Sequence, residues 1–317
     1  MSAGTRRVAA VDCGTNSIRL LVADVGPDEA VTDVDRRMEI VRLGQGIDRT
    51  GVIAPDAMER ALAASAVYAG RCRELGVEAV RFVATSASRD ARNAGEFVDG
   101  VRAAFGDLDV TPEVVDGDVE AELSFVGATG DLRRAGVPGP FLVVDLGGGS
   151  TELVRGTTHA EAGRSVDVGC VRMTERHLHG DPPTDDEVVA ARADVARALD
   201  RAEEVVDLAG LGAVVGLAGS VTTVTAHALG LDRYDTGAIH LARVPLAAHR
   251  ESCRALLAMT RTERAALPYM HPGRVDVIGA GALVWHEVLG RVAVRSPGAE
   301  VVTSEHDILD GIALSLR

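Results

Sequence analysis

The sequence predicts an α/β protein with two domains of similar core that face each other across a cleft. Apolar segments with strand-like and helix-like periodicity alternate along the chain, which is typical of a sheet covered by helices. In addition, a ten-residue segment beginning at Val11 recurs without gaps 133 residues later, beginning at Val144, with Asp, Gly, Ser and Leu at matching places. Each copy follows an apolar strand and runs into another strand. The repeat therefore predicts a duplicated β-hairpin and a duplicated domain.

The elements of the first half follow from periodicity and from residues that begin and end helices. Pro55 starts a periodic stretch and Gly76 closes it, which predicts a helix running to about Leu75. The other predicted elements are strands at Val8–Val11, Ile18–Val25, 31–43, Val80–Ala84 and Val110–Val115, and a helix at Gly95–Phe105.

A cluster of glycine and proline between Gly130 and Pro140 separates the two halves and precedes a strong apolar strand, Phe141–Val144. Thr184 followed by Glu187 is a capping-box pattern that begins a long helix. The remaining elements predicted in the second half are strands at Val166–Val168 and Ala213–Leu217, with helices at Thr184–Leu208 and Ser304–Leu316.

Composition excludes several functions. The formal net charge of the 317 residues is −14, and no basic run appears, which argues against nucleic-acid binding. All 33 basic residues are arginine. The absence of lysine excludes a Walker A phosphate loop and Schiff-base chemistry. An anionic substrate must therefore be bound by loop amides, arginines and a metal ion.

The cysteines and the apolar runs predict a soluble, cytoplasmic protein. The four cysteines are scattered without a paired or zinc-binding spacing, as expected for free thiols in a reducing compartment. The apolar run near the N-terminus reaches Asp12 too soon for a signal-peptide core. No stretch approaches the ~20 apolar residues that span a bilayer. We therefore expect no membrane partner.

The repeated loops, Asp12–Arg19 and Asp145–Glu152, are the main candidate site. Each has a carboxylate at a strand end, then glycine, then hydroxyl or amide side chains, so that consecutive backbone amides can receive phosphate oxygens. The aspartates suit a divalent ion rather than phosphate itself. A single loop of this kind is as easily a tight turn, but two copies in one register favour a site. The predicted phosphate-binding residues are Gly14, Thr15, Asn16, Ser17, Gly147, Gly148, Gly149, Ser150 and Thr151.

The two copies differ where the first has Arg19 and the second has Glu152. Arginine can clamp phosphate, whereas a carboxylate serves a metal ion or an attacking water. The loops therefore predict a divided site, with anion binding on one side and metal-linked chemistry on the other.

Three further segments carry candidate residues. Ser86 and Arg89 lie where a strand gives way to a helix, so they offer a hydroxyl, free amides and a cation, although an ordinary helix cap would look alike. Gly219 and Ser220 lie in a third glycine turn, a weak signal alone. Glu120 opens an apolar helix, where most acidic residues are merely solvated.

Together these segments resemble the Ppx/GppA phosphatases, which are exopolyphosphatases and guanosine pentaphosphate phosphohydrolases of the actin-like ATPase superfamily. The resemblance covers essentially the whole chain. It rests on ordered motifs at Asp12–Arg19, Arg42–Ile47, Ala84–Asn93, Gly117–Phe125, Asp145–Glu152, Gly216–Thr223 and Arg274–Leu283.

The resemblance implies two ribonuclease-H-like domains, 1–128 and 129–303, with a C-terminal helix at 304–317 that packs back on the first. It implies that Glu120 is the general base and that Arg89 binds phosphate. Asp145 and Glu152 match the acids that organise metal and water, with Asp12 nearby. A homodimer is a further expectation from the family.

The predicted function is Mg²⁺-dependent hydrolysis of the terminal phosphoanhydride of polyphosphate, with release of orthophosphate. Short polyphosphate is the expected substrate, because the chain lacks the extra domains of longer relatives. Three alternatives stay open: a guanosine pentaphosphate 5′-phosphohydrolase, an ATP-dependent kinase of the same superfamily, and a polyphosphate or alarmone sensor without turnover. The carboxylate set favours hydrolysis over the kinase and the sensor.

Overall fold

The computed structural model describes residues 4–27 and 30–317. The strands are β1 (Arg6–Cys13), β2 (Ser17–Val25), β3 (Val31–Ile40), β4 (Ala79–Ala84), β5 (Glu113–Val114), β6 (Phe141–Leu146), β7 (Thr151–Gly156), β8 (Ala160–Val166), β9 (Ala213–Leu217) and β10 (Glu300–Thr303).

The helices lie between these strands in the chain, and one follows the last strand. They are α1 (Ile47–Thr50), α2 (Pro55–Glu74), α3 (Ser86–Asp90), α4 (Ala94–Phe105), α5 (Gly117–Arg134), α6 (Cys170–His177), α7 (Asp185–Glu203), α8 (Ala218–Ala228), α9 (Thr236–Ile239), α10 (Leu246–Ala258), α11 (Arg261–Ala265), α12 (Ile278–Arg295) and α13 (Ile308–Leu314). None of the helices in the described ranges is both long and apolar enough to cross a membrane.

The chain divides into two compact units. The first comprises Met1–Gly127 with Ile308–Arg317, and the second comprises Ala128–Asp307. The division predicted from the sequence differs by one residue at the first boundary and by four at the second. The first boundary falls inside α5, since this helix runs from Gly117 to Arg134 and so crosses it ahead of the glycine and proline cluster.

Each unit contains one five-stranded mixed sheet, and the two sheets have the same construction. The order is β3-β2-β1-β4-β5 in the first unit and β8-β7-β6-β9-β10 in the second. In both, the first three strands form an antiparallel meander and the last two run parallel to the central strand. This is the strand order of the ribonuclease-H-like fold. The predicted α/β fold class is confirmed.

Strand β1 is buried on both faces of the first sheet, as expected for a central strand covered on each side. Ala9 and Val11 belong to the apolar cluster that includes α2 and α4. Val8 and Ala10 belong to a second cluster that includes Ile308 and Ile312 of α13. The period-two alternation of a strand thus sends neighbouring residues of β1 to opposite helical layers within the first unit.

Several predicted boundaries shift in the structure. The helix begun by Thr184 has the predicted capping box but ends at Glu203, and the following residues reach β9 through a loop. The predicted strand at 110–115 is reduced to β5. The predicted strand at 166–168 is only the end of β8, since Val168 has already left the ladder. Glu300–Thr303 form the edge strand β10, and the C-terminal helix begins at Ile308 because the preceding residues form a bend in which the amide of His306 donates to Ser304 Oγ at 3.0 Å.

Candidate active site

The first hairpin joins β1 to β2 and places Asp12 opposite Arg19 in the strand register. Both the Nε and the Nη2 of Arg19 donate to Asp12 Oδ2, at 3.0 and 2.6 Å. The amide of Gly14 donates to the carbonyl of Ser17 at 2.9 Å and closes the turn. The predicted metal ligand and the predicted phosphate clamp are therefore bound to each other here.

The second hairpin repeats this geometry with a different charge. Asp145 and Glu152 lie opposite each other on β6 and β7, and the amide of Gly147 donates to the carbonyl of Ser150 at 3.0 Å. The two acidic residues are 8% and 1% exposed. Like charges at facing strand positions destabilise a sheet, and buried charges need compensation. Ser165 Oγ donates to Glu152 Oε1 at 2.7 Å, which orients this carboxylate.

A hard divalent cation fits this pair of acidic residues. Carboxylate oxygens are the ligands that Mg²⁺ takes in proteins, and one cation compensates two facing negative charges. The first hairpin reaches the same compensation internally, since Arg19 stands where the second hairpin has Glu152. The asymmetry between the two copies is therefore an electrostatic difference between otherwise matching turns.

The loop of the second hairpin is held by its carbonyl groups. The carbonyls of residues 147–149 accept four hydrogen bonds of 2.9–3.1 Å from the amides of residues 169–172. The amides of Gly148, Gly149 and Ser150 take part in no hydrogen bond found among the described residues. Three consecutive amides left over in a turn form a nest suited to anionic oxygens.

The loop of the first hairpin is held in the same way by residues 41–44. The carbonyl of Thr15 accepts from the amide of Gly44 at 2.9 Å, and the carbonyl of Asn16 accepts from the amides of Val41 and Arg42 at 3.1 and 2.9 Å. Within the described ranges, the amides of Thr15 and Asn16 are unused. The side-chain Oδ1 of Asn16 is buried and has no partner there. Both loops thus keep amides for a ligand.

Glycine is required at the two supporting segments. A Cβ at Gly44 would overlap Thr15 Cγ2, and a Cβ at Gly169 would lie 2.5 Å from the amide nitrogen of Gly149. The sequence pattern indicated neither role. Gly44 lies in a motif that carried only the family resemblance, and Gly169 carries no local signal, since its contact is with residues twenty positions away.

The strand end at β4 and the start of α5 bring the other candidates of the first unit together. Ser86 Oγ lies 2.9 Å from Thr15 Oγ1, with both residues buried. Nη1 of Arg89 donates to the carbonyl of Val115 at 3.0 Å and to Glu120 Oε2 at 3.3 Å. Glu120 is 8% exposed. The predicted base is therefore a nearly buried carboxylate oriented by the predicted phosphate-binding arginine.

The third glycine turn begins α8, where Ala218 has a φ of +63°. A Cβ at Gly219 would overlap the guanidinium of Arg274. Arg274 also donates to Thr223 Oγ1 at 3.3 Å and lies 5.8 Å from the ring centroid of Tyr234. Arg274 was not predicted as a site residue; no periodicity or spacing joins it to Gly219 in the sequence.

Tyr234 closes the far side of this turn. Its hydroxyl donates to Glu305 Oε1 at 2.7 Å and lies 2.8 Å from Thr222 Oγ1. Burial raises the pKa of Tyr234 to about 12, so the phenol stays protonated at neutral pH and serves as a hydrogen-bond donor. Ser220, the other residue predicted here, is buried against Gly281 of α12, where a Cβ would overlap its hydroxyl.

Comparison with known proteins agrees with the fold described above. Residues 21–316 match the model of the Ppx/GppA phosphatase family. Exopolyphosphatase 2 of Mycobacterium tuberculosis is 52% identical over 317 residues, which cover 98% of each chain. This chain belongs to the Ppx/GppA phosphatase family.

Two further similar proteins match different shares of this chain. The crystal structure of an exopolyphosphatase-like protein superimposes with a TM-score of 0.93 at 44% identity and covers 98% of both chains. The guanosine-5′-triphosphate,3′-diphosphate pyrophosphatase of Vibrio cholerae is 35% identical over 171 residues, 54% of this chain and 33% of its own. The family predicted from the ordered motifs is confirmed.

Thr151, one of the predicted phosphate-binding residues, uses its hydroxyl group for a hydrogen bond within the fold. The hydroxyl of Thr151 donates to the carbonyl of Val168 at 2.7 Å and is fully buried, so it joins β7 to the chain before α6. The amides of Gly14 and Gly147 are likewise used to close their turns. The amides that stay unused among the described residues therefore lie at the centre of each loop.

Proposed function

We propose that this member of the Ppx/GppA family is an exopolyphosphatase that hydrolyses the terminal phosphoanhydride of inorganic polyphosphate and releases orthophosphate, with short chains preferred over long ones. The observation that carries the proposal is the full-length similarity to Exopolyphosphatase 2 of M. tuberculosis at 52% identity. The two hairpin loops support it, because their carbonyl groups are held by neighbouring segments while their central amides stay available to phosphate oxygens.

We assign phosphate binding to the central residues of the two hairpin loops. The amides of residues 15–16 and 148–150 would receive the oxygens, and the guanidinium groups of Arg19 and Arg89 would add charge-assisted hydrogen bonds. In the structure these guanidiniums donate to Asp12 and Glu120. A bound phosphate would therefore share arginines that the protein already orients.

We assign metal binding to Asp145 and Glu152, and Asp12 is a weaker candidate. The first two are the facing buried carboxylates of the second hairpin, whereas Asp12 already accepts two hydrogen bonds from Arg19 on its Oδ2. Mg²⁺, when bound, would neutralise charge on the phosphate oxygens. We expect Asp145→Asn and Glu152→Gln to weaken Mg²⁺ activation more than Asp12→Asn does.

The general base falls to Glu120. Its carboxylate is nearly buried and held by Arg89 at 3.3 Å, so it is oriented before substrate arrives. It would accept a proton from the attacking water as the new P–O bond forms in line with the bond that breaks. The polyphosphate shortened by one unit leaves, and the proton is then returned to solvent.

Guanosine pentaphosphate is the second candidate substrate, because the V. cholerae pyrophosphatase shares 35% identity with about half of this chain. A direct comparison separates the two. Orthophosphate release is measured with Mg²⁺ from short polyphosphate, long polyphosphate and guanosine pentaphosphate at equal concentrations of terminal phosphate, with Glu120→Gln as the inactive control.

The proposed function predicts the highest kcat/KM with short polyphosphate. A higher value for guanosine pentaphosphate would assign the second function. Binding of polyphosphate without release of orthophosphate would indicate a sensor and would contradict hydrolysis altogether. The homodimer and the cytoplasmic location stay predictions.

A further inference from the structure

A cluster of two histidines and one aspartate lies within the second unit, outside the residues assigned to the hydrolytic reaction. Asp131 lies near the end of α5, His240 follows α9, and His306 follows β10. Asp131 Oδ2 is 2.6 Å from His306 Nδ1 and 3.3 Å from His240 Nε2. The two imidazole rings lie 4.5 Å apart between centroids. One carboxylate oxygen is thus shared by two ring nitrogens.

The three ligand atoms have the composition of a transition-metal site and lie near the spacing that one needs. All three lie within 4.8 Å of one another. Metal–nitrogen and metal–oxygen bonds of about 2.1 Å in tetrahedral geometry separate neighbouring ligand atoms by about 3.4 Å. The His240–Asp131 pair already has this separation, and the His306–Asp131 pair needs to open by less than 1 Å.

The chemistry of the ligands selects the metal. Imidazole nitrogen with one carboxylate suits Zn²⁺ and its neighbours in the transition series, whereas Mg²⁺ takes oxygen ligands. The cluster is therefore matched to a different cation from the facing carboxylates of the second hairpin. The three side chains are 19–29% exposed, so solvent reaches the cluster and a water can serve as the fourth ligand.

Protons occupy the ligand positions in the metal-free cluster. The amide of Glu305 donates to His240 Nδ1 at 3.2 Å, which places the ring proton on Nε2, towards Asp131. The short contact between His306 Nδ1 and the same carboxylate oxygen likewise requires a shared proton. A metal ion would replace both. The proton of each neutral ring would move to its other nitrogen, so His240 Nδ1 would no longer accept the hydrogen bond from the amide of Glu305.

We propose that Asp131, His240 and His306 form an accessory Zn²⁺-class site with one position open to water. The metal would join the end of α5 to the segments that follow α9 and β10, three stretches of the second unit that are distant in sequence. Since binding favours the folded state, occupancy should stabilise this unit.

The test uses the whole protein after treatment with EDTA. Co²⁺, a coloured stand-in for Zn²⁺, is titrated while its visible absorption is recorded, and Zn²⁺ affinity is then measured by competition with a chromogenic chelator. The melting temperature is recorded with and without one equivalent of Zn²⁺. His306→Asn and His240→Asn each remove one ligand. His177→Asn is the matched control, because His177 pairs with Asp194 at 3.0 Å in an aspartate–histidine contact without a second histidine.

We expect one equivalent of Zn²⁺ to bind wild type and His177→Asn equally and to raise both melting temperatures. Loss of a direct ligand should exceed the 10–100-fold affinity loss typical of removing an outer-shell partner. The Asp145→Asn variant should keep this binding, which separates the cluster from the carboxylate pair. Far-ultraviolet circular dichroism without metal establishes that each variant is folded.

Unchanged Zn²⁺ affinity in both histidine variants would overturn the proposal, as would absence of Zn²⁺ binding to wild type at micromolar concentrations. If either histidine variant fails to fold, the remaining one and Asp131→Asn decide between the same outcomes. All readouts are independent of phosphate release, so failure here and failure of the proposed hydrolase activity are distinguishable.

Discussion

Adding one methyl group at Gly44 should disturb the first phosphate-binding loop without touching its chemical groups. In Gly44→Ala, the new Cβ would overlap Thr15 Cγ2 and lie 3.2 Å from Thr15 Cβ. Carbon atoms prefer about 3.5–4.0 Å, so Thr15 must rotate or the loop must shift. The backbone of Gly44 cannot retreat freely, because its amide donates to the carbonyl of Thr15 at 2.9 Å.

Either response has a calculable cost. Rotation of Thr15 breaks the buried contact between its hydroxyl and Ser86, and a typical hydrogen bond contributes about 0.5–1.5 kcal/mol. A shift of the loop by roughly 1 Å can lower a rate about 100-fold. We therefore expect kcat/KM for polyphosphate to fall about 10- to 100-fold, with loss of about 1–3 kcal/mol in the free energy of unfolding from overpacking.

The assay is steady-state release of orthophosphate, with urea unfolding to measure stability. Thr15→Ser removes Cγ2 and keeps the hydroxyl, so the double variant with Gly44→Ala should recover most of the lost activity. Gly70→Ala is the control, because a Cβ there meets nothing within 4 Å. Activity of Gly44→Ala within twofold of wild type, or failure of Thr15→Ser to rescue it, would refute the steric reasoning.

Three other predictions concern the second loop, the base and a buried histidine. Gly169→Ala should lower kcat/KM by a similar factor because its Cβ would press on the backbone of the second loop, while Gly298→Ala, with open space around it, should leave kcat/KM unchanged; equal activities would contradict this. Glu120→Gln should lower kcat by about 10²–10⁴-fold with little change in substrate binding measured by equilibrium dialysis; near-normal turnover would reject Glu120 as the base. Burial lowers the pKa of His249 from 6.5 to about 4, so the unfolded chain binds the proton first as pH falls. The stability from the neutral ring is complete above pH 6.5 and is lost between pH 6.5 and 4, by about 3 kcal/mol for 2.5 pKa units. Urea unfolding across this range should show that loss in wild type and much less of it in His249→Gln, and equal slopes would contradict the assignment.

Much of the fold was predictable because its evidence is local. The strand before each loop is a continuous apolar run, Pro55 and Gly76 bound α2, and the Thr184 capping box begins α7. Elements with mixed patterns were harder. The edge strand Glu300–Thr303 is only four residues long and was not predicted. The last helix begins four residues later than predicted, because His306 donates to Ser304 in a bend that no local pattern announces.

The candidate site was predictable only in part. The repeat identified both hairpins, and their cross-strand pairs, Asp12 with Arg19 and Asp145 with Glu152, occur in the register that the gapless alignment requires. The segments that hold the loops were not predicted, because residues 41–44 and 169–172 act through backbone amides, which any amino acid except proline supplies. Glycine there has meaning only once its neighbour in space is known.

The sequence by itself determined the family, the duplicated α/β fold and the change of Arg19 to Glu152 that separates the two loops. These follow from spacing within short segments, where neighbours in sequence are neighbours in space. Only the tertiary structure decided which amides stay available, that Arg89 orients Glu120, and that Arg274 lies over Gly219. It also brought His240 and His306 to the same carboxylate oxygen of Asp131. Such contacts join residues far apart in the chain, and the packing of helices and strands, rather than any local pattern, sets their distances.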